Sequence, residues 1–431
     1  MNNWKRVSSF IKFSTKGITP KYVEKSTIIV LNQKCIRDNK IDYSYSQFTD
    51  DTLNITESKF IRKGDILVNS TGAGTAGRSA FVADVPNDFR VISDSHILIL
   101  RCNSFYEAQC LSYVFFSYEE TLMSFMTGSS GQSELDKVVL LDLKTNMTSN
   151  PETQQKIATV LSTLDYKIEI NNRINTELET IAKTIYDYWF VQFDFPNEHG
   201  EPYKTSGGKM VWNEELKREI PKGWVVEKME KWIDIDKSGD WGKEEPEGNF
   251  TKKVTCIRGA DINGLNGLCE LNPPIRYILD KNSFKILKSH DLIIEISGGS
   301  PTQSTGRLAF ITDATIKRFD NPLICSNFCK PISIKNKKLL YNFAYYWNSL
   351  YDNGVFFGYE GKTSGIKNLL LDSFLSSYYT VIPEEKIVNQ FYDIMETIQE
   401  KKQIALAENQ QLASLRDWLL PMLMNGQVKV E

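Results

Sequence analysis

The chain repeats itself, and a repeat restricts the fold more than any single motif does. Leu140-Leu141-Asp142 recurs as Leu370-Leu371-Asp372, an offset of 230 residues. At the same offset Ile157, Leu161, Leu164 and Ile168 fall on Ile387, Phe391, Ile394 and Ile398, and Ile185 and Trp189 fall on Leu415 and Leu419. Upstream the correspondence continues with small length differences. Residues 62–68 (RKGDILV) pair with 288–294 (KSHDLII), and 77–81 (GRSAF) with 306–310 (GRLAF). Asp94-Ser95-His96 sits where Cys325-Ser326-Asn327 sits in the second copy. A repeat this long is not a solenoid module. It is a duplicated domain with a helix attached.

Each copy reads as a β-rich globular part followed by one long helix, an α+β chain with an internal pseudo-twofold repeat. Short apolar runs at 27–31, 65–68, 91–100, 291–296 and 323–325, punctuated by Gly, Asn and Pro, are the expected strands. In the first helix, positions 157, 161, 164, 168, 171, 175, 178, 182, 185 and 189 step by four and three. Positions 387, 391, 394, 398, 401, 405, 408, 412, 415 and 419 do so in the second. Sustained 3-4 spacing marks a coiled-coil seam. Pro151 and Pro383 precede the helices, and Asn425-Gly426 supplies a stop. Both seams turn polar near their middle, at Asn171 and Asn175 in one and at Lys401 and Glu408 in the other. Either a helix tilts towards solvent there, or the two helices pair antiparallel with their polar centres aligned. The second arrangement would point the two globular parts in opposite directions. At ~1.5 Å per residue each seam is roughly 50 Å long, about one to one and a half turns of B-DNA.

At 431 residues the chain is too long for one ordinary core. With 51 basic and 54 acidic residues it is not a binder that works by bulk positive charge. Its seven cysteines form no CxxC pair and there are three histidines, which fits reduced thiols in a cytoplasmic protein. Neither a signal peptide nor a membrane span is evident. Residues 191–223, rich in Pro and Gly, read as a linker with a short helix over 213–219.

Signals for catalysis are weak. Residues 72–77 (GAGTAG) match GxGxxG, yet residues 78–82 alternate like a strand and the second copy loses the spacing. A flexible, glycine-rich loop is the better reading. Asn272-Pro273-Pro274-Ile275 lacks the aromatic fourth residue with which amino-methyltransferases grip their target, so it reads as a turn. His96 reads as structural, and Cys325 and Cys329 lack partners for zinc. No catalytic residue and no metal site is assigned.

Residues 185–196 (IYDYWFVQFDFP), 200–204 (GEPYK), 207–209 and 219–224 (EIPKGW) resemble the central conserved region of type I restriction-modification specificity subunits. Residues 412–426 (LASLRDWLLPMLMNG) resemble their distal conserved region. Residues 17–22, 31–43 and 64–77 resemble one class of target recognition domain, and 256–262 and 297–310 another. The resemblance spans essentially the whole chain. It implies a first target recognition domain over 1–150, a conserved helix over 151–190, a central region over 191–222, a second recognition domain over 223–380 and a distal helix over 381–426. It further implies a non-catalytic subunit that reads a split, asymmetric site in double-stranded DNA. Its paired helices set the spacer and dock two methyltransferase subunits, which bind S-adenosylmethionine and methylate adenine; this chain binds no cofactor. Separate restriction subunits translocate and cut. The recognition domains differ, so the half-sites differ.

Sequence reading needs loops carrying donors and acceptors. In the first half these are Asn32, Gln33 and Lys34, the loop 70–78 with Thr71, Thr75 and Arg78, and Ser129, Ser130 and Gln132. In the second they are Arg258, Ser300, Thr302, Gln303 and Arg307, then Tyr359, Lys362, Thr363 and Lys367. Arg78 and Arg307, each after a glycine, read as a shared phosphate contact. Taken alone, these residues are equally compatible with ordinary solvated loops. Ile174, Ile181, Ile404 and Leu406, apolar and off the seam, suit partner docking or contacts to the globular parts. Two rival readings are a self-contained DNA methyltransferase or nuclease, which needs a cofactor loop or acidic metal site, and a purely structural scaffold, which the differing polar loops disfavour.

Overall fold

The computed structural model describes residues 4–37, 39–72, 74–125, 134–234, 237–269, 271–363 and 365–430. Two compact units emerge: Met1–Ile168 with Gln411–Glu431, and Glu169–Gln410.

In the first unit a four-stranded antiparallel sheet runs Ile11–Lys16, Ile97–Cys102, Asp65–Asn69, Ser79–Phe81. Side chains alternate between its faces. Ile66, Val68, Leu98 and Leu100 join the helix Phe105–Ser117 in one apolar cluster, while Leu67, Ile97 and Ile99 join Ile29, Leu31 and Val91 in another. Both faces are therefore covered, which is why these strands read as unbroken apolar runs. The second cluster is closed by a sheet in which Ile28–Leu31 pairs parallel with Arg90–Ser93 and antiparallel with Gln47–Thr49.

The second unit repeats this plan to the level of register. Its sheet runs Ile233–Asp234, Cys329–Ile334, Asp291–Glu295, Leu308–Phe310. Leu292 opposes Phe310 as Ile66 opposes Phe81 in the first unit. Phe250–Ile257 pairs parallel with Leu323–Cys325 and antiparallel with Ile275–Leu279. The central strand starts in both copies from a type II-like turn. Gly64 (φ +89°) and His290 (φ +74°) hold its positive-φ position, and the imidazole of His290 reaches the Tyr392 hydroxyl at 2.8 Å. The next residue, Asp65 or Asp291, accepts a hydrogen bond from the backbone N–H three residues earlier, at 2.9 Å from Arg62 and 2.8 Å from Lys288. Each carboxylate is buried against a cation from another strand or loop. Arg101 binds Asp65 at 2.8 and 3.0 Å, and Lys237 binds Asp291 at 2.6 Å.

The first long helix is Pro151–Tyr186, continued by a π turn at Asp187–Val191; the second is Glu385–Met424. In the first unit Ile157 and Leu161 share a core with Leu420 and Leu423, and Arg416 donates to Asp165 at 2.8 Å. In the second unit Asn171 donates to Glu408 (2.7 Å) and Asn409 (2.9 Å), Lys402 pairs with Glu179, and Ala182 and Tyr186 cluster with Phe391, Met395 and Ile398. In each unit partners on the second helix descend as those on the first ascend. The helices pair antiparallel.

The seam of the first helix matches its spacing, with none of its ten positions exposed. That of the second is displaced by one residue at several points. Ile394, Lys401 and Leu415 are exposed, while Met395, Lys402 and Leu420 are buried. This helix is covered on two sides within its unit. Gln399 donates to Tyr345 at 3.0 Å and Gln403 accepts from Arg318 at 2.6 Å, so its buried arc is wider than a 3-4 stripe. Leu406 likewise is buried, whereas Ile174, Ile181 and Ile404 are exposed. The helix expected over 213–219 is instead a hairpin of Met210–Asn213 and Arg218–Pro221. Asn213 accepts from the N–H groups of Glu215 and Leu216, and Lys217 takes φ +50°, which closes a turn in place of a helix. Nor is this stretch a loose linker: Phe193, Phe195 and Ile220 are buried with Trp224.

Among the described residues no helix is long and apolar enough to cross a membrane. Replacing Asp291 by Ala strands Lys237 without its counter-charge in a buried position; we expect a loss of about 3–5 kcal/mol, read as a lower urea midpoint at unchanged slope. Asp65→Ala is expected to act in the same direction through Arg101.

Candidate nucleic-acid interface

In the first unit three loops meet where strands Ile28–Leu31 and Arg90–Ser93 end. Asn32 accepts from the Lys34 N–H (2.9 Å) and donates to the Tyr45 carbonyl (2.8 Å), which sets the turn Gln33–Cys35. Gln33 then reaches across to the Thr71 carbonyl (2.8 Å) and hydroxyl (2.7 Å), and that hydroxyl meets Nδ1 of His96 at 2.7 Å. Asn69 ties the Gln33 and Thr75 carbonyls together at 3.1 and 3.2 Å. Thr75 folds back towards the Thr71 and Gly72 carbonyls, both at 3.4 Å. A side chain at Gly72 (φ +105°) would collide with the Thr75 hydroxyl, so only glycine fits. The loop runs into strand Ser79–Phe81 and not into a helix, so it lacks the N-terminal dipole that would hold a pyrophosphate. Lys34 is exposed. Ser129, Ser130 and Gln132 lie outside the described residues, but the chain following them returns to this corner, with Leu135 N–H on the Ser70 carbonyl at 2.7 Å.

The second unit builds the same corner with other chemistry. Arg258 follows the strand Phe250–Ile257; its guanidinium is held by both Asp261 oxygens (2.8 and 2.9 Å) and the Asn272 carbonyl (2.8 Å), and the Asp261 hydrogen bonds raise its pKa. Thr302 and Gln303 are exposed on the loop after the central strand, where Ser300 accepts from the Gln303 N–H at 3.2 Å. A small sheet of Ser297–Gly298, Ile366–Leu369 and Glu360–Thr363 backs that loop. Lys367 bridges it, pairing with Glu360 at 3.2 Å and donating to the Gln303 carbonyl at 3.2 Å. Lys362 and Thr363 lie on the last of these strands, with side chains outside the described set. Tyr359 points inward, its ring against Phe374 and its hydroxyl on Ser377.

Both glycine-following arginines also turn inward. Arg307 makes a bidentate pair with Glu295 at 2.8 and 2.6 Å, and those bonds raise its pKa; Arg78 lies 3.7 Å from Glu119. Each charge is answered within its own domain. Arg307 is held by Glu295 at the end of the central strand, and Arg78 by Glu119 at the start of the short helix Glu119–Ser124.

The structure also brings forward residues that sequence reading passed over. A cleft of 610 Å³ is lined by Trp241, Arg258, Gly298, Gly299, Asn327 and Phe328, among others. Asn327 and Phe328 lie on the turn between Leu323–Cys325 and Cys329–Ile334, the counterpart of the turn that carries His96. The repeat had matched these turns, and that was the available signal. Exposed Trp241 and Phe328 carried none, because an aromatic in an irregular segment usually reads as core. Below the cleft, burial pushes the thiols of Cys256 and Cys329 up to about 12, far from the thiolate form that metal binding or nucleophilic attack requires. Among the described residues no cluster of His, Cys, Asp or Glu is arranged to hold a metal ion.

Residues 3–180 match the family described as type I restriction modification DNA specificity domain. The chain is 26% identical over 335 residues to the type I restriction enzyme MjaIX specificity subunit of Methanocaldococcus jannaschii, covering 74% of this chain and 69% of that one. It is 36% identical over 141 residues to the HindI specificity subunit of Haemophilus influenzae, which is 32% of this chain and 30% of that relative. The crystal structure of the type I restriction-modification S subunit from M. genitalium superposes with a TM-score of 0.57 at 14% identity, covering 98% of this chain and 96% of that one, and so shares the fold. Two copies of one sheet-and-helix plan and antiparallel helices accompany a sequence that is similar, over residues 3–180 and across most of its length, to type I restriction-modification specificity subunits.

Proposed function

We propose that this chain is the DNA-sequence-reading subunit of a type I restriction-modification complex and is not itself the catalyst. The observation that carries the reading is one corner built twice on one scaffold with different polar side chains. Two such corners suit two unlike half-sites, hence a split, asymmetric target and not a palindrome. Residues 1–150 and 223–380 act as the target recognition domains, 191–222 as the central region, and 151–190 with 381–426 as the helical spacer. Exposed Ile174, Ile181 and Ile404 offer apolar contacts to two methyltransferase subunits, which bring S-adenosylmethionine and transfer the methyl group to adenine. Restriction subunits join that assembly, and the complex works in the cytoplasm, where its DNA lies. The near-neutral charge of the chain leaves most of the counterion release to those partners. Base contacts fall to Gln33, Thr71, Thr75, Ser129, Ser130 and Gln132 in the first domain and to Arg258, Ser300, Thr302, Gln303 and Thr363 in the second. Lys34 and Lys362 meet phosphate, whereas Asn32, Tyr359, Arg78, Arg307 and Lys367 keep the loops in shape.

The test is co-expression with the cognate methyltransferase subunit in a methylation-free host, followed by single-molecule sequencing for N6-methyladenine. Methylation at one split, asymmetric motif only when this chain is present is the expected result; methylation by this chain alone overturns the non-catalytic reading. With the motif known, Thr302→Ala with Gln303→Ala is expected to cost about 1–3 kcal/mol at the cognate second half-site and to relax that half alone. Lys34→Ala should weaken binding evenly across sequences and lower the salt slope by about one.

A further inference from the structure

We propose that the cleft of the second recognition domain receives a single nucleobase that has left the duplex stack. The inference rests on reading the chain as a DNA-sequence reader and specifies how one of its two sites works. Base edges inside a duplex are read by polar side chains reaching into a groove. Base faces are available only after unstacking, and faces are what aromatic rings bind. Trp241 and Phe328, 38% and 52% exposed, line the cleft at a corner where the neighbouring loops offer Arg258, Asn327 and exposed Thr302 and Gln303.

The cleft is also held open for an occupant. The Arg276 guanidinium sits 4.1 Å from the centre of the Trp241 ring and pairs with Glu244 at 2.9 Å, fixing the indole from one side. Gly259, Gly298 and Gly299 form part of the lining, and a side chain placed at Gly299 would meet nothing within 4 Å. At 610 Å³ the space exceeds one base, as it must if a sugar and phosphate follow the base in. Asn327 and Arg258 at the margin supply a donor–acceptor amide and a guanidinium donor for the polar edge of the base. The first domain does not share this chemistry: its corresponding turn carries His96, engaged with Thr71 and through it with Gln33. Base capture is accordingly assigned to the second half-site alone.

The experiment uses the complete methyltransferase complex with this chain. DNA carrying 2-aminopurine at one position at a time through the second half-site and its flanks is titrated, and fluorescence is read with binding and methylation. The expected result is a several-fold brightening at one position besides the methylated adenine, abolished by Trp241→Ala with Phe328→Ala. Each of these exposed rings is expected to contribute roughly 5- to 150-fold in affinity, with Phe328→Trp restoring both signals. Phe328→Leu keeps an apolar contact without a stacking face and should leave the position dark. Normal methylation with no second bright position overturns base capture and leaves sequence reading intact. Brightening that survives the double alanine variant also overturns it, since the base is then unstacked elsewhere. A complex that binds no DNA in any form overturns both readings.

Discussion

Each domain depends on a carboxylate placed at the foot of its central strand. Asp65 and Asp291 close the turn that launches the strand, and each then meets a cation brought from elsewhere in the domain. A buried carboxylate without such a partner would cost far more than one turn can return. The strand therefore takes its register only when Arg101 from the neighbouring strand, or Lys237 from the loop before Phe250–Ile257, is in place. Everything at the functional corner hangs from that register. Asn69 and Glu295 end the two strands that these turns begin, and they hold the Gln33 and Thr75 carbonyls in one domain and Arg307 in the other. The two copies solve the cation differently, from a strand in one and a loop in the other. What the duplication has kept is the acid and its turn.

The helices meet the opposite problem. Apolar seams bind well but tolerate slippage, because one heptad resembles the next. Here Asn171 faces Glu408 and Asn409, Asn172 accepts from Asn409 at 2.8 Å, and buried Lys402 is matched to Glu179. Shifting the helices by a turn would leave each of these groups desolvated without its partner, a penalty that leucines alone do not impose. Asp165, reached by Arg416 and by the Tyr113 hydroxyl at 2.6 Å, does the same within the first unit and adds a tie to its globular part. The polar centre of the seam thus gives up some apolar burial and gains a defined register.

Much of this was legible in the sequence. The duplication, the strand runs and the first seam follow from periodicity, since burial on one face or both leaves a direct trace in residue order. What escaped is the work of groups that break the correlation between polarity and exposure. Lys402, Gln399 and Gln403 are buried because each has a partner, and they move the second helix's buried face off the simple stripe. The hairpin at 210–221 escaped because its turn is set by one Asn side chain and a lysine at positive φ, and neither has a strong signature. At the candidate interface the loops were identifiable from glycine and polar content, but the sequence does not tell an arginine aimed at phosphate from one that pairs with Glu295.

That last ambiguity has a physical origin, and it bears on how such a domain changes its target. A loop that reads DNA must present donors and acceptors, and it must also be stiff, because ordering it on binding would cost affinity. Both demands draw on the same residue types. In the second domain Glu295 with Arg307 and Glu360 with Lys367 stiffen the corner from beneath, leaving Thr302, Gln303, Asn327 and Phe328 to face outward. In the first domain the Gln33–Thr71–His96 network does the stiffening with neutral hydrogen bonds. The register of the central strand against its long neighbour is the same in both domains, and the difference is concentrated at the corner, which in the second domain is backed by an additional small sheet. Because Asp65–Arg101 and Asp291–Lys237 hold the start of the central strand while the loops leave from its other end, the loop residues can vary without loss of those ion pairs.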